Sequence, residues 1–245
     1  MTHHPPLQFR QRARSFILGA LCVFSLSPAA LGQTVRPLLM EYSEKARGRL
    51  ELVNDTLTPL NVVLEAKSFT VSDSGEISYQ PLDSQIQLKL SAMSFRIPPQ
   101  QSYYVFYEAR AEVLPAWFVL YANFSGFPFK SASGMNIQLE LPHTVYLLPK
   151  QKMEKSEIVL RHAQYSYRNK HVVVRVANLG DAFGRVLGAE VSGRKRRSTH
   201  NGFPVFPRSE REVEIPWEDE ETLPDKLVLR FAKFTLEERV TATNE

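Results

Sequence analysis

The clearest hydrophobic pattern in the chain lies between Gly134 and Pro149, in the stretch GMNIQLELPHTVYLLP. Apolar side chains occupy alternate positions there over most of its length. Successive side chains of a strand point to opposite faces, so this period of two predicts a β-strand rather than a helix. One face of the strand carries what we call the apolar row, which consists of Ile137, Leu139, Leu141, Val145 and Leu147.

A proline inside this strand limits where the strand can lie in a sheet. Pro142 has no N–H to donate to a ladder, and it therefore favours an edge position or a bulge. Two interpretations follow. The strand is either an ordinary half-buried strand that closes a sandwich, or a strand that a partner chain extends by main-chain hydrogen bonds while the apolar row fills the partner's pockets.

Short alternating segments separated by turn residues cover the rest of the chain. In the first half, the predicted strands are 34–42, 50–54, 59–69, 85–97, 101–110 and 117–124. In the second half, they are 158–167, 171–178, 185–191, 213–217 and 226–234, with turns at 178–181, 193–202 and 218–225. The apolar phase slips at Ala92, which predicts a bulge or a break there. Many short strands of this kind predict an all-β protein made of two sandwiches.

The first 32 residues have the pattern of a secretory signal peptide. Three basic residues, Arg10, Arg12 and Arg14, precede a mostly apolar run over 15–31, and small residues precede a cut before Gln33. An uncleaved membrane anchor is the alternative, although Pro28 interrupts the run. We therefore expect a signal peptide over 1–32, a first domain over 33–149, a linker over 150–156 and a second domain over 157–245, in a protein exported to the periplasm.

Removal of this leader changes the net charge and the cysteine content of the chain. The chain has 30 Lys and Arg against 26 Asp and Glu, and the leader takes three arginines and no acids with it, leaving 27 basic residues against those 26. A nearly neutral chain gives no reason to expect a nucleic-acid partner. The only cysteine, Cys22, also lies in the leader, so the exported chain would depend on packed apolar cores rather than disulfides.

Signatures of catalysis or metal binding are weak. The six histidines include no pair at helical metal-ligand spacing, and we expect no metal, no cofactor and no enzymatic activity. The acidic run 218–221 is typical of a solvated loop. The basic run 194–197 is typical of a charged hairpin tip, which could also contact anionic lipid or an acidic partner. Aromatic residues crowd 103–121, where core packing explains most of them and a sugar-binding face is the functional alternative.

The order of several short motifs resembles the periplasmic pilus-assembly chaperones of the chaperone-usher pathway, the PapD-like family. The motifs in this chain are LELVND at 50–55 before Pro59, FRIPP at 95–99, WFVLYANFSGFP at 117–128, VRVANLG at 174–180 and GFPVFPRSER at 202–211. The long alternating strand that closes on Pro149 also fits, and the resemblance covers about 34–235.

This resemblance implies two immunoglobulin-like β-sandwich domains in an L-shaped, boomerang arrangement. It implies a periplasmic chaperone whose apolar row complements a pilus or fimbrial subunit that lacks its last strand, with an outer-membrane usher as a further partner and no stable membrane insertion once the signal is cleaved. An exported structural or adhesive sandwich protein without chaperone activity is the alternative.

The resemblance also implies a basic pair for a subunit's terminal carboxylate, an arginine in the first strand and a lysine in the last. The corresponding positions are near Leu39 and Thr144, and neither residue is basic. The nearest substitutes are Arg36 and His143, which we take as candidate carboxylate anchors.

Overall fold

The computed structural model describes residues 33–126, 138–194, 196–219 and 222–243, and these form eighteen strands and one 3-10 turn. The first ten strands are β1 (Gln33–Arg36), β2 (Leu39–Ser43), β3 (Lys45–Asn54), β4 (Leu60–Val71), β5 (Ile77–Pro81), β6 (Ile86–Leu90), β7 (Ser94–Ile97), β8 (Gln101–Ala111), β9 (Ala116–Ser125) and β10 (Leu139–Leu148). The remaining elements are the 3-10 turn Lys155–Glu157 and strands β11 (Ile158–Ser166), β12 (His171–Asn178), β13 (Gly184–Gly193), β14 (Arg197–Val205), β15 (Ser209–Pro216), β16 (Pro224–Phe231), β17 (Thr235–Arg239) and β18 (Thr241–Thr243). The predicted all-β class is confirmed.

The first ten strands form one sandwich. One sheet has the strand order β1-β3-β8-β6, and the other has the order β2-β10-β9-β4-β5, with β7 also paired to β4. Alternating apolar residues from both sheets meet between them because each strand presents every second side chain to the interior. Fully buried members of this core include Leu50, Leu52, Val105, Phe118, Phe124, Val145 and Leu147.

The last eight strands form a second sandwich, with sheets ordered β15-β12-β11-β18 and β14-β13-β16-β17. Its core is a separate cluster that contains Val174, Val191, Ile215, Trp217 and Leu229. The indole Nε1 of Trp217 donates a 2.8 Å hydrogen bond to the carbonyl of Thr222, which satisfies its one polar group inside the core.

The same turn chemistry ends one strand in each sandwich. Asn54, at the end of β3, donates from Nδ2 to the carbonyls of Thr58 at 2.9 Å and Ile97 at 3.1 Å. Asn178, at the end of β12, donates from Nδ2 to the carbonyl of Ala182 at 2.8 Å. Both asparagines are buried, and their amides stand in for the ladder bonds that the chain gives up as it turns.

Three sequence expectations about strands can be compared with the structure. The predicted break near Ala92 is confirmed, since β6 and β7 lie in different sheets. The single strand predicted over 34–42 was wrong, because the chain leaves one sheet at Arg36 and enters the other at Leu39, with Pro37 between them. The turn predicted over 193–202 was also wrong, because most of it belongs to β14.

Aromatic side chains from both sandwiches pack against one another. Trp117 contacts Phe206 with ring centroids 4.7 Å apart, and Tyr146 contacts Phe183 at 4.9 Å. Arg185 of the second sandwich reaches Glu41 of the first through a 3.0 Å ion pair. No helix long and apolar enough to cross a bilayer occurs in the described part of the chain, and the predicted signal peptide over 1–32 lies outside it.

Candidate functional site

Strand β10 is paired on both sides over only half of its length. Residues 139–147 pair antiparallel with β9 over Phe124 to Ala116. On the opposite side, β2 pairs in parallel with Thr144–Leu148 only. Among the residues that the structure describes, no strand pairs with the other side of 139–143, and we call this stretch the open edge.

The direction of one hydrogen bond shows which main-chain groups the open edge presents. The N–H of Thr144 donates to the carbonyl of Leu38 at 2.8 Å, on the β2 side of the strand. Main-chain groups of a strand point to alternate sides, so Glu140 and Pro142 point to that same side. Because Pro142 has no N–H, the open edge offers the N–H of Glu140 and the carbonyls of Glu140 and Pro142. This position agrees with the edge placement predicted from the proline.

The apolar row points towards the interior, as the alternation predicted, but its members differ in burial. Val145 and Leu147 are fully buried in the first core. Leu139 and Leu141 are half-buried and pack against the margin of the same core. Ile137 lies outside the described residues. The expectation that the whole row serves a partner therefore needs correction, because Val145 and Leu147 are already used by the sandwich itself.

Two exposed leucines lie at the end of the open edge, and Leu39, the register partner of Thr144, is on the face opposite to the apolar row. Leu38 is 62% exposed and Leu39 is 40% exposed, at the point where β2 begins to pair with β10. Neither leucine is among the site residues that the sequence predicted. The sequence signal for them is a pair of leucines directly after Pro37, inside the segment 34–42 that was predicted as one continuous strand.

A buried histidine marks the boundary between the open edge and the doubly paired half of β10. The Nδ1 of His143 lies 2.5 Å from the carbonyl of Pro37, and its Nε2 lies 3.0 Å from the hydroxyl of Tyr107. A carbonyl only accepts, so Nδ1 carries the proton and Nε2 accepts from Tyr107. The Tyr107 oxygen then accepts from the hydroxyl of Tyr42, 2.9 Å away. This chain of bonds joins both sheets to the segment that connects β1 to β2.

Burial disfavours the charged form of this histidine. Loss of hydration lowers the pKa of His143, and the hydrogen bond to the Pro37 carbonyl opposes this shift only in part. Both ring nitrogens are occupied and the side chain is fully buried. Both ring nitrogens of His143 are thus engaged within the protein, which counts against the expectation that it anchors a partner's carboxylate.

The other candidate anchor lies on the surface. Arg36 is exposed at the end of β1, where it is the register partner of Glu51. It stays a candidate. The structure also places Leu39 and Thr144, the two positions where the family resemblance expects the basic pair, directly opposite each other in the β2–β10 register. The two positions that the resemblance implies for the basic pair are therefore neighbours in the structure, although neither residue is basic.

The described ranges contain no group of three or more His, Cys, Asp or Glu residues arranged to hold a metal ion. The candidate site therefore consists of the open edge of β10, the leucines beside it and the buried His143. Such an arrangement suits the binding of an extended polypeptide, because a strand partner is recognised by main-chain hydrogen bonds and alternate side chains.

This chain is similar to known proteins in its structure but not detectably in its sequence. No protein-family model matches this chain, and a search of curated proteins finds no match. Solved structures do match. The class 5 fimbriae chaperone CfaA is similar over 86% of this chain and 99% of its own, with a TM-score of 0.54 and 9% identity. The fold is that of the fimbrial chaperones.

Other structures with this fold agree. A chain from the Salmonella enterica complex of SafA pilin with the SafB chaperone covers 85% of this chain and 96% of its own, with a TM-score of 0.54 and 10% identity. The YadV chaperone covers 84% of this chain and 98% of its own, with a TM-score of 0.51 and 12% identity. The predicted pair of immunoglobulin-like sandwiches is therefore confirmed, and the resemblance found in the sequence holds for the fimbrial-chaperone fold.

Proposed function

We propose that this protein is a periplasmic chaperone that binds pilus or fimbrial subunits by strand complementation at the open edge of β10. A subunit strand would lie beside 139–143, continue the line of β2, and accept Leu139 and Leu141 into its own core groove. Ile137 is proposed as the next member of the same row. The observation that carries the proposal is that, among the described residues, β10 has two strand neighbours over one half and one neighbour over the other.

The apolar surface at the edge supports this proposal energetically. Fully burying a leucine side chain stabilises an association by about 1.5–3 kcal/mol. Leu139 and Leu141 are already half-buried, so each has only part of that amount left to contribute. Main-chain hydrogen bonds contribute about 0.5–1.5 kcal/mol each. Together these terms suit a chaperone that holds a subunit and later releases it.

The rest of the proposed setting follows from the fold. The SafB chaperone and the chaperone in a tip-adhesin complex of CFA/I fimbriae were solved with their partners, as the names of those structures state. We extend this to propose a fimbrial subunit as the client here, an outer-membrane usher as a second partner, and the periplasm as the location after cleavage of the leader. Arg36 is proposed as the anchor for the subunit's terminal carboxylate.

The proposal is tested by removing one hydrogen-bond donor from the open edge. In Glu140→Pro, the strand loses the N–H that faces the open edge and keeps its ladder to β9. Glu140→Ala is the matched control, since it removes the same side chain and keeps the N–H. Each variant is co-expressed with a candidate fimbrial subunit in the periplasm, and the co-purified subunit is measured.

We expect Glu140→Pro to reduce capture by about tenfold, the equivalent of roughly one hydrogen bond, while Glu140→Ala captures normally. Circular dichroism and thermal unfolding establish that both variants are folded. Normal capture by a folded Glu140→Pro variant would contradict the proposal.

The alternative is an exported sandwich protein with a structural or adhesive role. It is favoured by the complete burial of Val145 and Leu147 within the protein's own core. Failure of the unaltered protein to capture any fimbrial subunit, with the open edge intact, would support this alternative.

A further inference from the structure

The outer face of the β1-β3-β8-β6 sheet in the first sandwich carries a concentration of positive charge. Five basic side chains point outward from β3, β8 and β6, namely Lys45, Arg47, Arg49, Lys89 and Arg110. The two outward acids on the same three strands are Glu51 and Glu108. The chain after its leader is almost neutral by comparison. We call this surface the cationic face.

Two aromatic rings lie in the middle of the cationic face. Phe106 is 57% exposed and Tyr104 is 45% exposed, although both belong to a central strand of the sheet. The guanidinium of Arg49 lies over the Tyr104 ring, 5.3 Å from its centroid. Beside Phe106 is a shallow depression of about 350 Å³, which Arg47, Lys89 and the acid Glu108 border.

The acids of the face offset only part of its positive charge, since Glu108 is the register partner of both Arg47 and Lys89, and Arg49 lies two residues from Glu51 on β3. Arg47 forms a 2.9 Å ion pair with Glu108, and Arg110 donates to the neutral amide of Gln87. Lys45, Arg49 and Lys89 have no carboxylate within ion-pair distance among the residues that the structure describes. Lys45, Arg47 and Arg49 alternate along β3, so they form a row of charges spaced by about 7 Å.

The charge density of this face argues against a folded protein as its partner. Arginine and aromatic residues are enriched in protein interfaces, but the buried centre of such an interface is depleted of charge, and a stable one buries about 800 Å² on each side. The cationic face has only two exposed rings inside a field of charge. A hydrated, flexible polyanion suits it better, because it can place its charges along the basic row while one of its units occupies the depression.

We propose that the cationic face binds an acidic polysaccharide. Carboxylate groups on successive sugar units would pair with Arg49, Lys89 and the other basic residues through charge-assisted hydrogen bonds. The apolar side of one sugar ring would pack on Phe106, within a depression whose volume is at the lower end of that of small-ligand sites. An exported protein meets such polymers rather than nucleic acid, so this inference depends on export. It does not depend on the open edge of β10, which lies in the other sheet.

The test compares two double variants that remove the same number of positive charges. Arg49→Ser with Lys89→Ser removes charge from the cationic face, and Arg194→Ser with Arg196→Ser removes it from the β13–β14 hairpin of the second sandwich. Binding of the full chain to polyglucuronate, poly-L-glutamate, neutral dextran and a single-stranded oligonucleotide is measured by titration at low and physiological salt.

We expect polyglucuronate to bind and dextran not to bind. The Arg49/Lys89 variant should bind polyglucuronate at least about tenfold more weakly, as expected for two lost charge-assisted contacts, and the Arg194/Arg196 variant should bind normally. Phe106→Ser should weaken polyglucuronate binding and leave poly-L-glutamate binding unchanged, because only a sugar ring uses the aromatic surface.

Three results would overturn the inference. They are an absence of polyglucuronate binding by the unaltered protein, an equal loss in the two double variants, and tighter binding of poly-L-glutamate or the oligonucleotide than of polyglucuronate. Capture of fimbrial subunits by the Arg49/Lys89 variant is measured in parallel. Because the open edge is intact in this variant, a polysaccharide result is distinguishable from failure of the proposed chaperone function.

Discussion

The two halves of β10 have the same alternation of apolar and polar residues but different surroundings. In the second half, Val145 and Leu147 are fully buried between two strand neighbours. In the first half, Leu139 and Leu141 are half-buried beside one neighbour. Alternation therefore determines which face of a strand is apolar, whereas the neighbouring strands determine whether that face is a core or a binding surface.

We expect the largest loss of stability when a leucine is removed from the buried half of β10, and a much smaller loss when one is removed from the other half. Leu147→Ala should destabilise the protein by about 3 kcal/mol, because it opens a cavity in a packed core, whereas Leu139→Ala should cost less than about 1.5 kcal/mol. Urea unfolding monitored by circular dichroism measures both. Equal losses of stability would mean that the two halves of β10 are equally buried in solution.

An intermediate effect concerns His143, at the boundary between the halves. Burial lowers the pKa of His143 in the folded protein below its value of about 6.5 in the unfolded chain. The unfolded chain therefore takes up a proton more readily as the pH falls. The stabilisation from the neutral histidine is fully present above pH 6.5 and is lost progressively on acidification below it.

This pH dependence is isolated by comparison with a variant. The urea midpoints of the unaltered protein and of His143→Gln are measured at pH 7.5 and pH 5.0 at constant ionic strength. We expect a larger decrease for the unaltered protein, because glutamine has no proton to gain. Parallel decreases in the two proteins would show that other groups, and not His143, cause the acid sensitivity.

The smallest effect concerns the contact between the doubly paired half and the second sandwich. Arg185 pairs with Glu41 at 3.0 Å and lies 5.7 Å from the ring centroid of Tyr146, on β10. Since the pair is partly exposed to solvent, Arg185→Ala should cost less than about 1 kcal/mol, and less still at high salt. Arg161→Ala, which removes an exposed pair with Glu210 within the second sandwich, is the matched control for loss of one arginine.

The sequence predicted the strands whose alternation was strong. The inward face of β10, the break near Ala92 and the position of β12 all follow from side-chain period and turn residues. Strand β14 was missed because its outward and edge positions carry serine, threonine, histidine, asparagine and glycine, which are typical of turns. Its place beside β13 depends on the hairpin geometry rather than on its own composition.

The site was less predictable because it depends on pairing between distant residues. Leu39 and Thr144 are neighbours only because β2 belongs to the second sheet, and nothing within β10 reveals where β2 begins. The environment of His143 likewise depends on Tyr107 and Pro37, which lie far from it in sequence. The alternation of Lys45, Arg47 and Arg49, by contrast, was visible in the sequence and could have indicated the cationic face.

The placement of the two tryptophans gives the molecule a pair of separate optical reporters. Trp117 packs against Phe206 at the meeting of the two sandwiches, whereas Trp217 is enclosed in the second core. Variants that retain one indole each would report different events, since the emission of Trp117 responds when the sandwiches part and that of Trp217 responds when the second one melts. Tryptophan fluorescence can thereby distinguish separation of the two sandwiches from unfolding of the second one without any added label.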